Sequence, residues 1–527
     1  MKSFKITKIL VALGAAFVIA GCQDYDQLVL NKNLPASSPP SLLLTGALEH
    51  MNDANAWNGK QGSMSAAQFF ISTYDYYGTN NYDQAPFTRN TNNFEYLKTL
   101  ENMERMDIEA KANAQPPRNV YGAMSKFLRA YYFHLMSQKM GDLPLSMAFQ
   151  ATDNKTPTYD SQKDVYIQIL KWLEESNDDF NNLDIGGTTM SGDIYLDNNN
   201  AAWQKVVNTF TLRVLISLSK KENDPDLRIK EKFAAIIADP VKYPLMTGIT
   251  DNVKYTFNAA FNNYPKNPTS QGRDAHRENI ASAFLDVTTA LHDPRTFIAA
   301  TPAPKLIDDG LAFDDFNAYV GAPAGLSIGE LGVNAQGGEY SFVNALRYYV
   351  DFAGSKAEPA IIIGYSEMCF NIAEAMNRGW VNGDQAAWYT KGIKASMDFY
   401  NLFDGAKIKV GNNLSTIYYG DVTVNVTDYL AQPEVAYKGG AAGLTQILTQ
   451  KYISFWQNSN WEAFFNQRRT GVPVFSVGPG NGNGGKIAVR WQYPVAENSA
   501  NEANYNAAVA RQFNGVDDLN GTLWILQ

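Results

Sequence analysis

The sequence predicts a mostly α-helical protein in which paired helices form a scaffold and long loops form one face. Three observations carry that prediction. Apolar residues recur at spacings of three and four along five segments. Glycine or proline follows where such helices should stop. The stretches between them are polar and rich in tyrosine and asparagine.

Composition narrows the function first. The 527-residue chain is 45% hydrophobic, 13% aromatic and 18% charged, an ordinary globular make-up that rules out wholesale disorder. A net charge of −9 argues against nucleic-acid binding, which needs concentrated Lys and Arg. Two cysteines cannot build a disulfide framework or a multi-cysteine metal centre, and four scattered histidines disfavour a histidine-based one.

In chain order, Lys2, Lys5 and Lys8 precede the uncharged apolar run Ile9 to Ala20. As a helix that run rises about 18 Å, short of the roughly 30 Å hydrocarbon core, so it reads as a signal segment and not a membrane span. It ends in Ile19-Ala20-Gly21-Cys22, which resembles a lipobox, whose cysteine is acylated and becomes the mature N-terminus. Residues 1–21 are therefore expected to be a lipoprotein signal peptide, 22–40 the lipidated cysteine and a tether, and 41–527 a single α-helical domain with loop-rich insertions.

The helices follow. Phe127, Tyr131, Leu135 and Met136 share a face within 123–140, before the stop Gly141-Asp142-Leu143-Pro144. Ser161 with Asp164 resembles a capping box, opening a helix with the stripe Tyr166, Ile169, Leu170 and Leu173. Trp203, Val207, Phe210, Val214 and Leu218 mark a third helix. Met368, Ile372, Ala373 and Ala375 mark a fourth, ending at Gly379, and Trp388, Ile393 and Met397 a fifth. Small residues at expected crossings (Ala130, Ala373, Ala375) suit tetratricopeptide-like hairpins, although no clean 34-residue period is present. Cys369 is expected to be a buried core residue. The loops at about 70–96, 250–275, 300–345 and 404–440 are long enough to imply a functional surface.

The candidate ligand contacts lie on these loops. Tyr74, Tyr76, Tyr77 and Tyr82 are interleaved with Asn80 and Asn81 and followed by Phe87 and Arg89. A tyrosine ring stacks on a sugar or peptide while its hydroxyl hydrogen-bonds, and an amide donates and accepts at once. Tyr255, Phe257, Asn262, Asn263, Tyr264, Asn267 and Arg273 form a second cluster, and Tyr319 sits at a further turn. The competing reading makes these rings core or loop packing. The glycine-rich run 478–485 lacks a phosphate-binding context and reads as a flexible loop. Asp197-Asn198-Asn199-Asn200 and Asn223-Asp224-Pro225-Asp226 offer oxygens that calcium could use, but without EF-hand spacing they read as solvated turns. No other cofactor is expected. No Gly-x-Ser-x-Gly elbow or His-Glu-x-x-His pair is present, and His134 in mid-helix reads as a packing residue.

Taken together, these segments resemble the SusD/RagB family, the nutrient-binding outer-membrane lipoproteins of Bacteroidetes. The carrying residues are Cys22; Phe127-Leu128-Arg129-Ala130-Tyr131-Tyr132-Phe133 with Gly141-Asp142-Leu143-Pro144; Tyr159-Asp160-Ser161-Gln162; and Trp203 through Leu212-Arg213-Val214-Leu215-Ile216. Asp293-Pro294-Arg295, Tyr319-Val320-Gly321, Glu374-Ala375, Tyr389, Gly392-Ile393, Glu462-Ala463 with Arg468-Arg469-Thr470-Gly471, and Tyr493-Pro494 continue the series in order. His134, Met140 and Ala324 depart from the usual pattern. The acids Asp24 and Asp26 after Cys22 resemble the surface-export signal of such lipoproteins.

The resemblance implies about four helix pairs and a lipid-anchored protein on the cell surface. It also implies that the protein acts as lid of a SusC-like TonB-dependent transporter, capturing an oligosaccharide or oligopeptide without catalysis. Two other readings stay open from the residues alone: a surface glycoside hydrolase on a helical scaffold, and a helical-repeat adaptor.

Overall fold

The computed structural model describes residues 37–527 except 54–55, 57–61, 75–81, 151–152, 259, 261, 263, 265–276 and 352–357. Its principal helices are α1 (Pro40–Glu49), α2 (Leu97–Ala112), α3 (Val120–Met140), α4 (Gln162–Asn181), α5 (Asn200–Ser217), α6 (Tyr365–Asn377), α7 (Gln385–Phe399), α8 (Gly440–Ser454), α9 (Glu462–Thr470) and α10 (Glu502–Phe513). Packing runs from neighbour to neighbour: α2 on α3, α3 on α4, α4 on α5, α5 on α6, α6 on α7 and α8, and α8 on α9. The result is four helix pairs, the tetratricopeptide-like scaffold expected from the sequence.

A single apolar stripe is too narrow a description of α3. It is buried around nearly its whole circumference, because α1, α2, α4 and α5 all pack on it. Asn119 caps its start, its side chain accepting from the N–H groups of Tyr121 and Gly122. The helix stops at Gly141, whose φ of +96° favours glycine and where a Cβ would lie 2.1 Å from Gln512 Oε1. The adjacent Asp142 carboxylate accepts from Gln162 N at 2.7 Å and from Arg511, and burial pushes its pKa up to about 6. The stop therefore ties α3 to α4 and to the C-terminal helix α10.

At the head of α4, the Ser161 hydroxyl accepts the Asp164 N–H at 3.2 Å. The Asp164 carboxylate takes the Ser161 hydroxyl proton at 2.6 Å, so the capping box is only half formed. A full box stands instead at Ser327 and Glu330, where the longer glutamate reaches the backbone N–H of Ser327. Ala130, Ala373 and Ala375 are fully buried, and so is Cys369, whose thiol burial pushes up to about 12.

Charged residues sit at the centre of the scaffold. Arg213 of α5 donates to both carboxylate oxygens of Glu367 of α6, at 2.8 and 2.5 Å, and to Ile362 O. Arg469 of α9 grips Glu374 of α6 at 2.6 and 3.0 Å. Burial alone would raise the Glu374 pKa, but the Arg469 guanidinium overrides it and holds the carboxyl at about 2. Lys451 of α8 donates to Asn371 and Asn466, and burial lowers its pKa to about 8. His134 Nδ1 meets the Tyr166 hydroxyl at 3.3 Å, and burial lowers its pKa to about 3, so it is a neutral packing residue.

Short strands pair as ribbons among the described residues: β1 (Phe70–Ser72), β2 (Val253–Tyr255), β3 (Glu278–Ile280), β4 (Ala360–Ile363), β5 (Lys407–Gly411) and β6 (Tyr418–Thr423), ordered β1–β3, β2–β4 and β5–β6, all antiparallel. The main apolar core runs through every helix pair. A separate small core of Ile71, Ala281, Ala322, Ala324, Leu331 and Tyr340 lies against the β1–β3 ribbon.

Candidate functional site

The β1–β3 ribbon sets the start of the first tyrosine–asparagine stretch beside the chain that enters β3. Phe70 pairs with Ile280 and Ser72 with Glu278, so the chain leaving β1 and the chain entering β3 are neighbours at the same end. Thr73 N donates to Arg277 O at 3.0 Å, and the Thr73 hydroxyl reaches Asn279 Oδ1 at 2.6 Å. One residue on, the Arg277 guanidinium lies 3.9 Å from the centre of the Tyr74 ring, a cation–π contact. Tyr74 is 39% exposed and marks the rim from which both loops depart.

The third segment joins the same ribbon. Ala322 N donates to Ile280 O and Ser282 N to Ala322 O, at 2.8 and 2.9 Å. Asn279 bridges to Phe342. The short helix Ile328–Gln336 buries Leu331 in the small core beneath. The rim therefore rests on its own apolar platform, built from three stretches of chain distant in sequence.

The structure corrects three of the expected ligand contacts. Tyr82 is 1% exposed: its hydroxyl donates to Ala66 O at 2.7 Å, and its ring packs on Phe87. Tyr264 is buried, donating to Gln457 Oε1 at 2.8 Å and stacking on Tyr348. Tyr319 is buried against Phe297, with its hydroxyl on Phe313 O at 2.8 Å. Burial raises the pKa of Tyr82 and of Tyr319 above the usual phenol value. All three rings have their faces covered and their hydroxyls engaged, so they anchor loops and do not offer a stacking surface. Tyr76, Tyr77, Asn80 and Asn81 lie outside the described residues, as does Cys22.

Tyr82 shows how the loop between it and Tyr74 is held. Its N–H donates to Asn481 O at 2.8 Å, and Asn483 N donates to the neighbouring Asp83 carboxylate at 3.0 Å. The glycine-rich run, expected to be flexible, is a packed support. A Cβ at Gly480 would lie 1.8 Å from Leu326 O, so glycine is required by close backbone approach. The tyrosine loop is thus fixed at one end by the ribbon and at the other by this support.

The oxygen-rich turns serve local structure. Asn199 caps α5 through Ala202 N at 3.1 Å, and Asp224 and Asp226 share Lys163 at 3.0 and 2.6 Å. Among the described residues no group of three or more His, Cys, Asp or Glu gathers as a metal site would require. Arg277 was not singled out in the sequence. Only its position one residue before β3 sets it against Tyr74, and a three-residue strand gives no periodic signal.

A helical-hairpin scaffold carrying a loop rim on a separate platform places the chain in the tetratricopeptide-containing class of folds. A family model of SusD-like proteins, described as starch-binding and associating with the outer membrane, matches residues 32–494. The chain belongs to this SusD-like family. A SusD homolog from Bacteroides fragilis is 30% identical, with 93% of this chain and 100% of that one covered and a TM-score of 0.79. A second from the same species is 28% identical over 93% and 100%, with a TM-score of 0.74. A chitin-binding SusD homolog from Flavobacterium johnsoniae shares the fold at 18% identity over 93% and 98%, with a TM-score of 0.66. No curated protein matches the chain.

Proposed function

We propose that the protein is a cell-surface lipoprotein, anchored through Cys22, that captures an oligosaccharide at the Tyr74 rim and serves as lid of a SusC-like TonB-dependent transporter. One observation carries the reading: the tyrosine–asparagine stretch 74–82 leaves the end of the β1–β3 ribbon at Tyr74, which is partly exposed and seated on Arg277. The ligand-contact set becomes Tyr74, Tyr76, Tyr77, Asn80 and Asn81, with Tyr82, Tyr264 and Tyr319 as supports. Ring faces stack on the C–H face of a sugar while amides match paired hydroxyls. At about 1 kcal/mol per aromatic contact, affinity falls in the micromolar to millimolar range. That range suits a carrier that must release its cargo. Acylation of Cys22 by more than one chain would hold the protein at the membrane, at about 0.8 kcal/mol per buried methylene.

The test is purification of the tagged chain from its native outer membrane in mild detergent, with mass spectrometry of partner and retained ligand. A co-purifying β-barrel transporter with trapped sugar is the expected result. Trapped peptide alone would overturn the oligosaccharide assignment, and recovery of the chain without a barrel would overturn the lid.

A further inference from the structure

A second cleft lies away from the rim, where the end of α7 meets the short helix Val426–Ala431. It encloses about 460 Å³ and is lined by Lys394, Asp398, Phe403 and Thr427 among others. Its floor is apolar and sealed, with Met397 at 0% and Leu402 at 3% exposure. Phe403, by contrast, is 62% exposed. A lone exposed aromatic is ordinary, but one bordering a cleft with polar groups on its walls is not.

The cleft is pre-built. Phe403 sits at the head of a tight turn in which Ala406 N donates to Phe403 O at 2.9 Å, and Gly405 N donates to Val424 O at 2.9 Å. The Asp404 carboxylate takes both the N–H and the hydroxyl of Thr427, at 3.0 and 2.5 Å, and so fixes the opposite wall. The Lys394 ammonium and the Asp398 carboxylate stand four residues apart on α7 at the cleft mouth, and the Lys394 charge acts on both Asp398 and Asp404. Burial raises the Asp398 pKa above the usual carboxylate value.

We infer that this cleft is a second saccharide-binding site, taking one pyranose unit with its C–H face on Phe403 and its hydroxyls shared between Asp398 and Lys394. A carboxylate accepts from sugar hydroxyls and an ammonium donates to them. With Asp404 on the same wall the cleft carries two carboxylates to one ammonium, which disfavours an anionic ligand and suits a neutral, hydroxyl-rich one. The ring on a rigid turn loses little freedom on binding. The inference rests on the proposed oligosaccharide capture: a second weak site on one chain holds a long polymer by raising its effective concentration, while short fragments gain nothing.

Saturation-transfer NMR on the full chain tests this with maltotriose, cellotriose, chitotriose and xylotriose as saccharide probes and tri-alanine as the peptide probe. At least one trisaccharide should keep a signal in the Tyr76→Ala/Tyr77→Ala variant and lose at least threefold of it on adding Phe403→Ala. Asp398→Asn, which leaves the turn intact, should give the same loss, with an unchanged melting temperature in both. If Phe403→Ala moves no saccharide signal while the tyrosine variant does, the cleft is overturned and the rim stands. Dependence on Phe403 without dependence on the tyrosines would support the cleft and count against the rim. A Phe403-dependent signal from tri-alanine alone, or no saccharide signal at all, overturns the second site.

Discussion

In the scaffold, Arg213, Glu367, Glu374 and Arg469 are sealed from water and pair with one another across helices. At the end of the β1–β3 ribbon, Tyr74 and Arg277 pair at the surface. Both regions use polar residues, yet their energetic positions differ. A buried ion pair is expensive to form and more expensive to break, since removing one partner strands the other charge. A surface cation–π pair contributes little to stability. The motifs that mark the family along this sequence fall mostly in the first region. Ligand contact is assigned to the second.

Breaking the buried region should give the largest effect. Glu374→Ala strands Arg469, 4% exposed, and should cost about 3–5 kcal/mol in urea denaturation. Replacing both partners, Glu374→Leu with Arg469→Met, should recover most of that loss. Ligand affinity of the folded fraction should not change in either variant. A cost below about 1 kcal/mol would show that the pair does not discriminate between the regions as argued.

Tyr82 sharpens the comparison because it shares a sequence stretch with the partly exposed Tyr74 while its ring belongs to the core. Tyr82→Ala empties a site in a cluster of Phe87 and Phe464 and should destabilise by about 3–5 kcal/mol. Tyr76→Ala with Tyr77→Ala should leave the melting temperature nearly unchanged. Their combined loss of about 2 kcal/mol of binding, roughly 30-fold in affinity, is expected by calorimetry. If the double variant melts far earlier than the parent, those rings are packing residues too.

What the sequence revealed follows the same division. Helices with stripes such as Tyr166, Ile169, Leu170 and Leu173 were legible because a period of 3.6 persists over several turns. Stops at Gly141 and caps at Ser161 were legible because backbone geometry restricts the residue type. The ribbon was not, since Phe70–Ser72 and Glu278–Ile280 are three residues each and buried on both faces, so no alternation exists to read. Nor could the sequence separate Tyr74 from Tyr82. A phenol ring suits water and core alike when its hydroxyl finds a partner, and Ala66 O, which receives the Tyr82 proton, is known only from the fold.

The pH response comes next in size. Glu462 is buried, 3.9 Å from His134 Nε2, and burial pushes its pKa up to about 7. A carboxyl raised above its unfolded value stabilises the fold below the unfolded pKa, and that contribution is lost as pH rises from about 4.5 through 7. His134, lowered to about 3, acts in the other direction: its contribution is present above about 6.5 and is lost as pH falls toward 3. Glu462→Gln should therefore flatten the decline on the alkaline side by on the order of 1–3 kcal/mol. His134→Gln should flatten the acid side. Thermal melts across pH 4 to 8 read both slopes, and a Glu462→Gln variant with the parent's slope would show that the carboxyl is already ionised in the fold.

The smallest effect belongs to Tyr74 itself. Its ring carries Arg277 on one side, and the exposed part is the surface proposed for the sugar. Tyr74→Phe keeps the ring, and hence both the cation–π contact and the stacking face, and removes only the hydroxyl. Tyr74→Ala removes all three. Exposed cation–π pairs contribute about 0.5–1 kcal/mol, so Tyr74→Ala should lower stability by no more than that, while reducing sugar affinity about fivefold, or about 1 kcal/mol. Tyr74→Phe should bind within about twofold of the parent if stacking is what the residue supplies. Equal losses in the two variants would instead assign its role to the hydroxyl, making Tyr74 a hydrogen-bonding residue whose ring serves only to seat Arg277 at the mouth of the two loops.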